Sequence, residues 1–490
     1  MKKLYTETLI IGAGPAGLAC ALELAQHKKD FMVIERDLLV GGLSKTYSFA
    51  EDDGSVFYTD NGPHRFFSKD PYLYQYLGDI LKEDWIMVSR HTRQYIEGAF
   101  YDYPINAIQA LRNIGVVRST GMAMSYCFAR IKYGLFKRPI RNFKEYIIAN
   151  FGKSLGEFSM INYTEKIWGI DSSHIHPDWA RQRIKGLNVG TVLKSVVSKM
   201  RKKNTEGPKS LIDSFYYPRK GTGQIYTTIQ DRLIKAGYSV YTGTWPVSVV
   251  KTNEGFRTQL INVHGESLEV CSRYLVESVP IVEFLKLMIP EPPGAIISAS
   301  AHLRYRSQVY LFVTLNKDFV TNDQWIYFPS KDIPIGRVSE MKNFSSYMSP
   351  PTKTSLFIEL FCFEGDTIWN MGEQDLFDYV LPYCESVGLF MKKEVRRYYR
   401  IAQKNVYPIY DLPYQTYLAM IKRHLDTIPD LFYIGRPGRF RYNNQDHSLE
   451  MGMLAAKSII DGIKYDIESV GEEKEYFESG KLHYKNKING

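Results

Sequence analysis

Residues 9–42 read LIIGAGPAGLACALELAQHKKDFMVIERDLLVGG, and this stretch decides the fold. The apolar residues 9–11 predict a buried parallel strand, which is followed by Gly12, Gly14 and Gly17 in the spacing G-x-G-x-x-G at the start of a helix. These glycines allow a tight turn, a close approach of the backbone to a pyrophosphate, and close packing of the helix on the strand. The stretch therefore predicts a dinucleotide-binding domain.

The next strand and turn favour FAD over NAD. The strand predicted over Phe31 to Ile34 ends at Glu35, where an acidic side chain accepts hydrogen bonds from an adenosine ribose and disfavours a 2′-phosphate. The pair Gly41-Gly42 follows, and flavoproteins of the glutathione-reductase and amine-oxidase type carry such a pair near FAD. We therefore expect Arg36, Gly42 and Leu43 among the cofactor-binding residues.

Composition indicates a globular enzyme of two or three domains. The chain has 490 residues, of which 23% are charged and 44% hydrophobic. It contains no uninterrupted apolar run of the roughly 18 residues that a spanning helix needs. We expect a cytoplasmic protein or one peripheral to the inner face of a membrane. The five cysteines form no C-x-x-C pair, so we expect neither disulfides nor a bound metal.

The net charge of +9 indicates an anionic partner. Part of the excess lies in residues 130–144, RIKYGLFKRPIRNFK, and part in residues 199–209. These segments suit anionic small molecules or an anionic membrane surface, and the alternative is a solvated helical face and a polar loop. No nucleic-acid-binding module is recognisable, so nucleic acid is not an expected partner.

Hydrophobic periodicity predicts an α/β protein with a Rossmann-like cofactor domain, an inserted helical domain and an antiparallel-sheet substrate domain. A final strand, loop and helix after residue 430 predict a return to the cofactor domain. The expected boundaries are 1–104 for the first part of the cofactor domain, 105–200 for the helical domain, 210–300 for the continued cofactor domain, 301–425 for the substrate domain, 426–465 for the last cofactor segment and 466–490 for a charged tail.

Four motifs together resemble the flavin amine-oxidase and protoporphyrinogen-oxidase superfamily, and within it the UDP-galactopyranose mutases. They are the N-terminal glycine unit, Gly62-Pro63-His64, the segment 163–169 (YTEKIWG), and Gly435-Arg436 followed by Tyr442. The order of the motifs is that of the family. The resemblance implies an FAD enzyme that is active with reduced flavin.

The resemblance also implies the residues that bind the substrate. Tyr163 and Trp168 would lie against the base of a nucleotide diphosphate sugar, and Arg183 would face its diphosphate. Tyr442 completes the expected substrate-binding set. Aromatic faces stack on a base, and a guanidinium matches phosphate oxygens. The alternative for Trp168 is a place in the core.

His64, Arg183 and Arg436 are the catalytic residues that the resemblance implies. His64 and Gly62 would lie beside the isoalloxazine, and Arg436 near both the flavin and the substrate phosphates. The alternatives are that His64 satisfies a loop and that Arg436 is a surface charge. After Tyr442 the sequence departs from the mutases and reads NNQD, which predicts a rebuilt diphosphate end of the site.

The favoured function is a pyranose–furanose mutase. In the chemistry that the resemblance implies, N5 of reduced FAD attacks the anomeric carbon as the nucleotide diphosphate leaves, and the sugar recloses through a different hydroxyl. An external reductant of the flavin and a homo-oligomer are further expected partners. The alternative is an FAD oxidoreductase acting on an amine, a porphyrinogen or a polyene, and a third is a non-catalytic flavoprotein bound to a membrane-associated glycan assembly system.

Overall fold

The computed structural model of the protein describes residues 2–103, 107–183 and 214–471. The basic segment 199–209 and most of the expected charged tail lie outside the described residues. The strands, in chain order, are β1 (Lys2–Ile11), β2 (Phe31–Ile34), β3 (Thr46–Ala50), β4 (Val56–Asp60), β5 (Trp85–Ser89), β6 (Thr92–Ile96), β7 (Ala99–Asp102), β8 (Ser214–Pro218), β9 (Ser239–Tyr241), β10 (Thr244–Thr252), β11 (Gly255–Asn262), β12 (Ser267–Glu277), β13 (Met288–Ile289), β14 (Tyr305–Leu315), β15 (Trp325–Tyr327), β16 (Arg337–Glu340), β17 (Thr354–Cys362), β18 (Val395–Pro408) and β19 (Leu431–Tyr433).

Helices connect and cover these strands. The α-helices are Pro15–Gln26, Pro71–Leu81, Ala107–Ile114, Val116–Arg130, Phe143–Phe151, Lys153–Leu155, Asn162–Trp168, Asp178–Arg183, Gly223–Lys235, Ile281–Leu287, Gly294–His302, Thr367–Asn370, Glu373–Val387, Tyr414–Asp426, Gly435–Gly438 and Gln445–Asp461. Two π-helical stretches, Ile131–Leu135 and Gly156–Ile161, continue helices of the predicted helical domain. Among the described residues, no helix is both long and apolar enough to cross a membrane.

The cofactor domain is built on an eight-stranded sheet in the order β13-β10-β11-β12-β1-β2-β9, with β19 paired to β12. Strand β1 runs parallel to β2 and to β12, with Leu9 opposite Met32 and Leu275. Leu9 and Ile11 pack in one hydrophobic cluster, whereas Ile10 packs in another. The apolar run of β1 is therefore explained by burial on both faces of a parallel sheet.

A seven-stranded sheet in the order β18-β14-β17-β16-β15-β6-β7 forms the predicted substrate domain. Strand β14, the second from one edge, is buried along its whole length and pairs antiparallel with β17 and β18. Strands β6 and β7 also belong to it, because Trp325 of β15 pairs with Thr92 of β6. This pairing corrects the expectation that residues 1–104 all lie in the cofactor domain.

The expected tail at residues 466–490 also needs a correction at its start. Ile467 and Val470 are buried against the cluster that contains the helix Pro15–Gln26. Glu468 forms ion pairs with Lys422 and Arg439. Residues 466–471 are therefore part of the folded protein. The fold as a whole combines helices with parallel and antiparallel sheets, and it confirms the α/β fold class predicted from the sequence.

Candidate active site

The first glycine turn stands at the carboxyl end of β1 and is possible only with glycine at two positions. A Cβ atom on Gly12, whose φ is +100°, would lie 2.4 Å from Oγ of Ser278. A Cβ atom on Gly17 would lie 1.9 Å from the carbonyl oxygen of Gly12. These contacts explain the spacing of the motif, because both glycines let the helix Pro15–Gln26 start directly against the strand.

The second glycine turn lies against the first. The backbone N–H of Gly41 donates to the carbonyl of Ala13 at 2.8 Å, and a Cβ atom on Gly42 would lie 3.2 Å from Cα of Gly14. Gly14 caps the helix Pro15–Gln26 without a side-chain hydrogen bond, and the first turn carries no acidic residue. Backbone N–H groups and the positive end of the helix dipole are thus left for an anion, and this cradle fits the pyrophosphate of FAD.

Glu35 organises the same turn from the end of β2. Its two carboxylate oxygens accept hydrogen bonds from the backbone N–H groups of Ala13, at 2.8 Å, and Asp37, at 3.0 Å. Burial raises the pKa of Glu35 despite these bonds. The carboxylate retains lone pairs for a ribose hydroxyl, as the sequence predicts. Arg36 is exposed, and Leu43 is half-buried in the turn that follows Gly42.

The last strand, loop and helix bring Arg436 back to the glycine turns. A Cβ atom on Gly435, whose φ is +76°, would lie 3.2 Å from Cβ of Ala16, and one on Gly452 would lie 2.1 Å from the carbonyl oxygen of Ala16. Nε of Arg436 donates to the carbonyl of Asn443 at 3.0 Å. The backbone of the NNQD segment thus holds Arg436 in place.

His64 lies beside Gly62, on which a Cβ atom would be 3.5 Å from Nε2 of the histidine, and it is within electrostatic reach of two arginines. The pKa of His64 is lowered to about 3, first by burial and then by the charges of Arg436 and Arg337. Backbone groups of Leu43 and Asn61 act in the opposite direction on this pKa but do not offset burial and the two arginine charges. The imidazole is therefore neutral at pH 7, which suits a group that orients a neighbour through a hydrogen bond rather than through its charge.

The two arginines that act on His64 belong to a cluster of tyrosines and arginines, here called the aromatic–arginine cluster. Its members come from the helix Asn162–Trp168, from β15, β16 and β18, and from the segment after Gly435, and they are Tyr163, Tyr327, Arg337, Tyr407, Arg436 and Tyr442. The guanidinium of Arg436 lies 4.8 Å from the ring centre of Tyr442 and 5.8 Å from that of Tyr407. The two tyrosine rings stack at 5.5 Å.

Arg337 supplies the second cation of the cluster. Its side chain is 16% exposed and pairs with the carboxylate of Glu359 at 2.5 Å. Glu359 also accepts a hydrogen bond from Nε2 of Gln308 at 3.1 Å. The guanidinium lies 5.8 Å from the ring centre of Tyr327, which meets Tyr163 edge to face at 5.6 Å.

Four residues around the site were not predicted from the sequence: Arg337, Glu359, Tyr327 and Tyr407. A signal was present in the sequence, since Glu359 interrupts the otherwise apolar run of β17 and Arg337 begins a strand that is buried at its other positions. Buried charges are paired, so a lone charge in such a strand predicts a partner on the neighbouring strand.

The segment YTEKIWG places its lysine at the back of the cluster. Nζ of Lys166 lies within hydrogen-bonding distance of four carbonyl oxygens: Ser330 at 2.6 Å, Ile333 at 2.7 Å, Ile335 at 3.1 Å and Phe328. The lysine therefore ties the helix of Tyr163 to the loop that leads into Arg337. This contact gives the motif a structural role in addition to any contact with a ligand.

Trp168 does not face an open site, contrary to the expectation that it contacts the substrate base. Its side chain has no exposed surface and meets Trp179 edge to face at 4.7 Å. Trp179 in turn meets Tyr442 at 4.9 Å. Trp168 thus supports the cluster from the core, which is the alternative that its apolar surroundings predict. For Arg183, the last residue of the helix Asp178–Arg183, the side chain lies outside the described residues.

The glycine cradle and Glu35 at the ends of β1 and β2 define the class of the protein as a dinucleotide-binding one. The family model for flavin-containing amine oxidoreductases matches residues 15–397. The chain belongs to this family, and FAD is its cofactor.

Several solved structures share this fold. A crystal structure of reduced UDP-galactopyranose mutase is similar over 96% of each chain, with 20% identity and a TM-score of 0.79. A candidate protoporphyrinogen oxidase from Exiguobacterium sp. 255-15 matches 96% of this chain and 99% of its own, with 15% identity and a TM-score of 0.67. A putrescine oxidase bound to putrescine matches 94% of this chain and all of its own, with 15% identity and a TM-score of 0.61.

Proposed function

We propose that the protein is an FAD-dependent pyranose–furanose mutase that acts on a nucleotide diphosphate sugar. The observation that carries this proposal is the aromatic–arginine cluster, which sets Arg337 and Arg436 among four tyrosines beside His64. Two guanidinium groups match the oxygens of a diphosphate, and the tyrosine faces suit a nucleotide base. The similarity of fold to UDP-galactopyranose mutase points in the same direction.

The residues of the site have different proposed roles, which follow from the chemistry of their side chains. Arg337 and Arg436 bind the diphosphate and stabilise its negative charge as the bond to the anomeric carbon breaks. Tyr163 and Tyr327 hold the base. His64 stays neutral, so it adds no further positive charge beside the cofactor turns. Reduced FAD, bound by the two glycine turns and Glu35, supplies the nucleophile that such an isomerisation needs.

Net redox change is absent from this reaction, which distinguishes it from the competing function. The competing function is an FAD oxidoreductase of the amine-oxidase type, which the family and the similarity to putrescine oxidase support. An amine substrate is cationic and would meet two guanidinium groups, while the carboxylate of Glu359 is already paired with Arg337. The charge of the cluster therefore favours the anionic substrate.

The proposal includes a place in the cell. A nucleotide sugar isomer is a precursor for polysaccharide biosynthesis, and the reaction needs a reductant that keeps the flavin reduced. We propose that the formation of the isomer and the reduction of the flavin both take place in the cytoplasm.

The test is an anaerobic incubation of the dithionite-reduced protein with UDP-, dTDP- and GDP-sugars, followed by chromatography for an isomer of unchanged mass. Formation of an isomer with reduced but not oxidised protein supports the proposal. Arg436→Gln should abolish it. The matched control is Arg441→Gln, because Arg441 donates to the carbonyl of Glu468 at 2.8 Å rather than stacking on the tyrosines. Absence of isomerisation with every sugar, or equal loss in both variants, would overturn the proposal.

A further inference from the structure

The helix Val116–Arg130 and its continuation Ile131–Leu135 present an apolar stripe to solvent. The stripe consists of large side chains spaced by seven, four, three and four residues along one face, and they are Val117 (89% exposed), Met124 (56%), Phe128 (67%), Ile131 (48%) and Leu135 (73%). This spacing keeps Val117, Met124, Phe128 and Ile131 on one side of a helix with 3.6 residues per turn, and Leu135 follows Ile131 by about one turn of the wider π-helix. We call this set the apolar stripe.

The opposite side of the same helix is used for packing within the protein. Ala129 is 4% exposed, and Met122 packs against the small cluster that contains Phe158. A Cβ atom on Gly152 would lie 2.7 Å from the backbone nitrogen of Tyr126, so the helix Phe143–Phe151 ends in close contact with this side. The apolar stripe is therefore left exposed after the helix has packed.

The segment that carries the stripe is strongly cationic. Residues 103–144 contain no aspartate or glutamate and eight basic residues: Arg112, Arg118, Arg130, Lys132, Lys137, Arg138, Arg141 and Lys144. Of these, Arg118 is engaged in an ion pair with Glu97. Phe136 and Ile140, which are 73% and 36% exposed, extend the apolar surface beyond the helix among the remaining cations.

We propose that the apolar stripe docks the protein on an anionic lipid membrane. A helix with large apolar side chains on one face and cations around them lies in the membrane interface, with the apolar face among the acyl chains and the cations against acidic headgroups. A second copy of this chain fits the surface less well, since self-association would bring the cations of both copies together. The stripe covers about 20 residues of helix, or about 30 Å, which lies along the membrane plane.

The test is co-sedimentation of the FAD-loaded protein with phosphatidylcholine vesicles that contain about 30% phosphatidylglycerol, compared with pure phosphatidylcholine. We expect binding to the anionic vesicles and substantial loss of it in about 0.5 M NaCl. Phe128→Glu/Leu135→Glu should weaken binding at least about tenfold. Val263→Glu/Ile463→Glu is the matched control, because Val263 and Ile463 are exposed by 53% and 58% outside this segment.

Two outcomes would overturn the proposal. One is equal binding of the wild-type protein and of Phe128→Glu/Leu135→Glu. The other is a lack of vesicle binding together with a dimer, seen by size-exclusion chromatography, that Phe128→Glu/Leu135→Glu dissociates. Flavin content and isomerisation of a water-soluble sugar nucleotide should stay unchanged in both double variants, so this result is independent of the proposed function.

Discussion

Replacement of Arg337 by methionine separates the structural role of this arginine from its proposed role in binding. Glu359 is 1% exposed, and after the change the neutral amide of Gln308 is the side-chain hydrogen-bond partner left to it among the described residues. Removal of one member of a buried ion pair costs about 3–5 kcal/mol in the free energy of unfolding. The single variant should therefore be less stable than the wild type, and it should also bind the proposed diphosphate substrate more weakly.

The double variant Arg337→Met/Glu359→Met isolates the binding term. It removes the uncompensated carboxylate and leaves only the amide of Gln308 to lose an acceptor, at about 1–3 kcal/mol, so roughly 2 kcal/mol of stability should return. The lost charge-assisted hydrogen bonds to a diphosphate are worth about 1.5–3 kcal/mol, or about 10- to 150-fold in affinity.

Equilibrium denaturation and calorimetric titration with UDP, dTDP and GDP measure the two effects. We expect the double variant to regain stability while binding the nucleotide at least about tenfold more weakly than the wild-type protein. If the double variant is as stable as we expect and binds the nucleotide like the wild type, then Arg337 has only a structural role in the sheet and does not bind the diphosphate.

Three further predictions concern the glycine turns, the histidine and the buried tryptophan. Gly42→Ala should lose flavin, measured by the 450 to 280 nm absorbance ratio, because its Cβ would crowd Gly14; Gly54→Ala, also at positive φ but with no atom within 4 Å, should keep it. The pKa of His64 is near 3 in the folded protein and about 6.5 in the unfolded chain. Its contribution to the free energy of unfolding is therefore complete above pH 6.5, and it is smaller by about 2 kcal/mol at pH 5, where the unfolded chain is protonated and the folded protein is not. In thermal unfolding, His64→Gln should lose less stability than the wild type between pH 8 and pH 5. An equal loss of stability in the two proteins would contradict the lowered pKa of His64. Trp168→Ala should lower stability by about 3–5 kcal/mol in denaturant titrations, and a binding defect at unchanged stability would return Trp168 to the substrate site.

The cofactor turns were predictable because their chemistry is local. Gly12 and Gly17 are separated by five positions, and each is required by contacts with its own turn or with an adjacent strand. Glu35 is fixed by the end of the next strand. A motif of this kind carries its geometry in its spacing, so the sequence is sufficient.

The substrate side was not predictable to the same degree because its contacts span long sequence separations. Arg337 and Glu359 meet only because β16 and β17 pair, and Thr92 joins the same sheet by pairing with Trp325. The motif in residues 163–169 indicates that Trp168 is important, but it does not indicate which side of the helix is buried. Both outcomes depend on strand pairing and packing that no local pattern encodes.

The most direct test of the proposed mutase is one closed reaction in which the isomer formed and the oxygen consumed are measured together, with the protein reduced at the start. If the protein is a mutase, we expect many equivalents of isomer for each flavin and no oxygen uptake beyond reoxidation of the flavin itself. Oxygen uptake in proportion to substrate, with a product of lower hydrogen content, would contradict it and identify an oxidase.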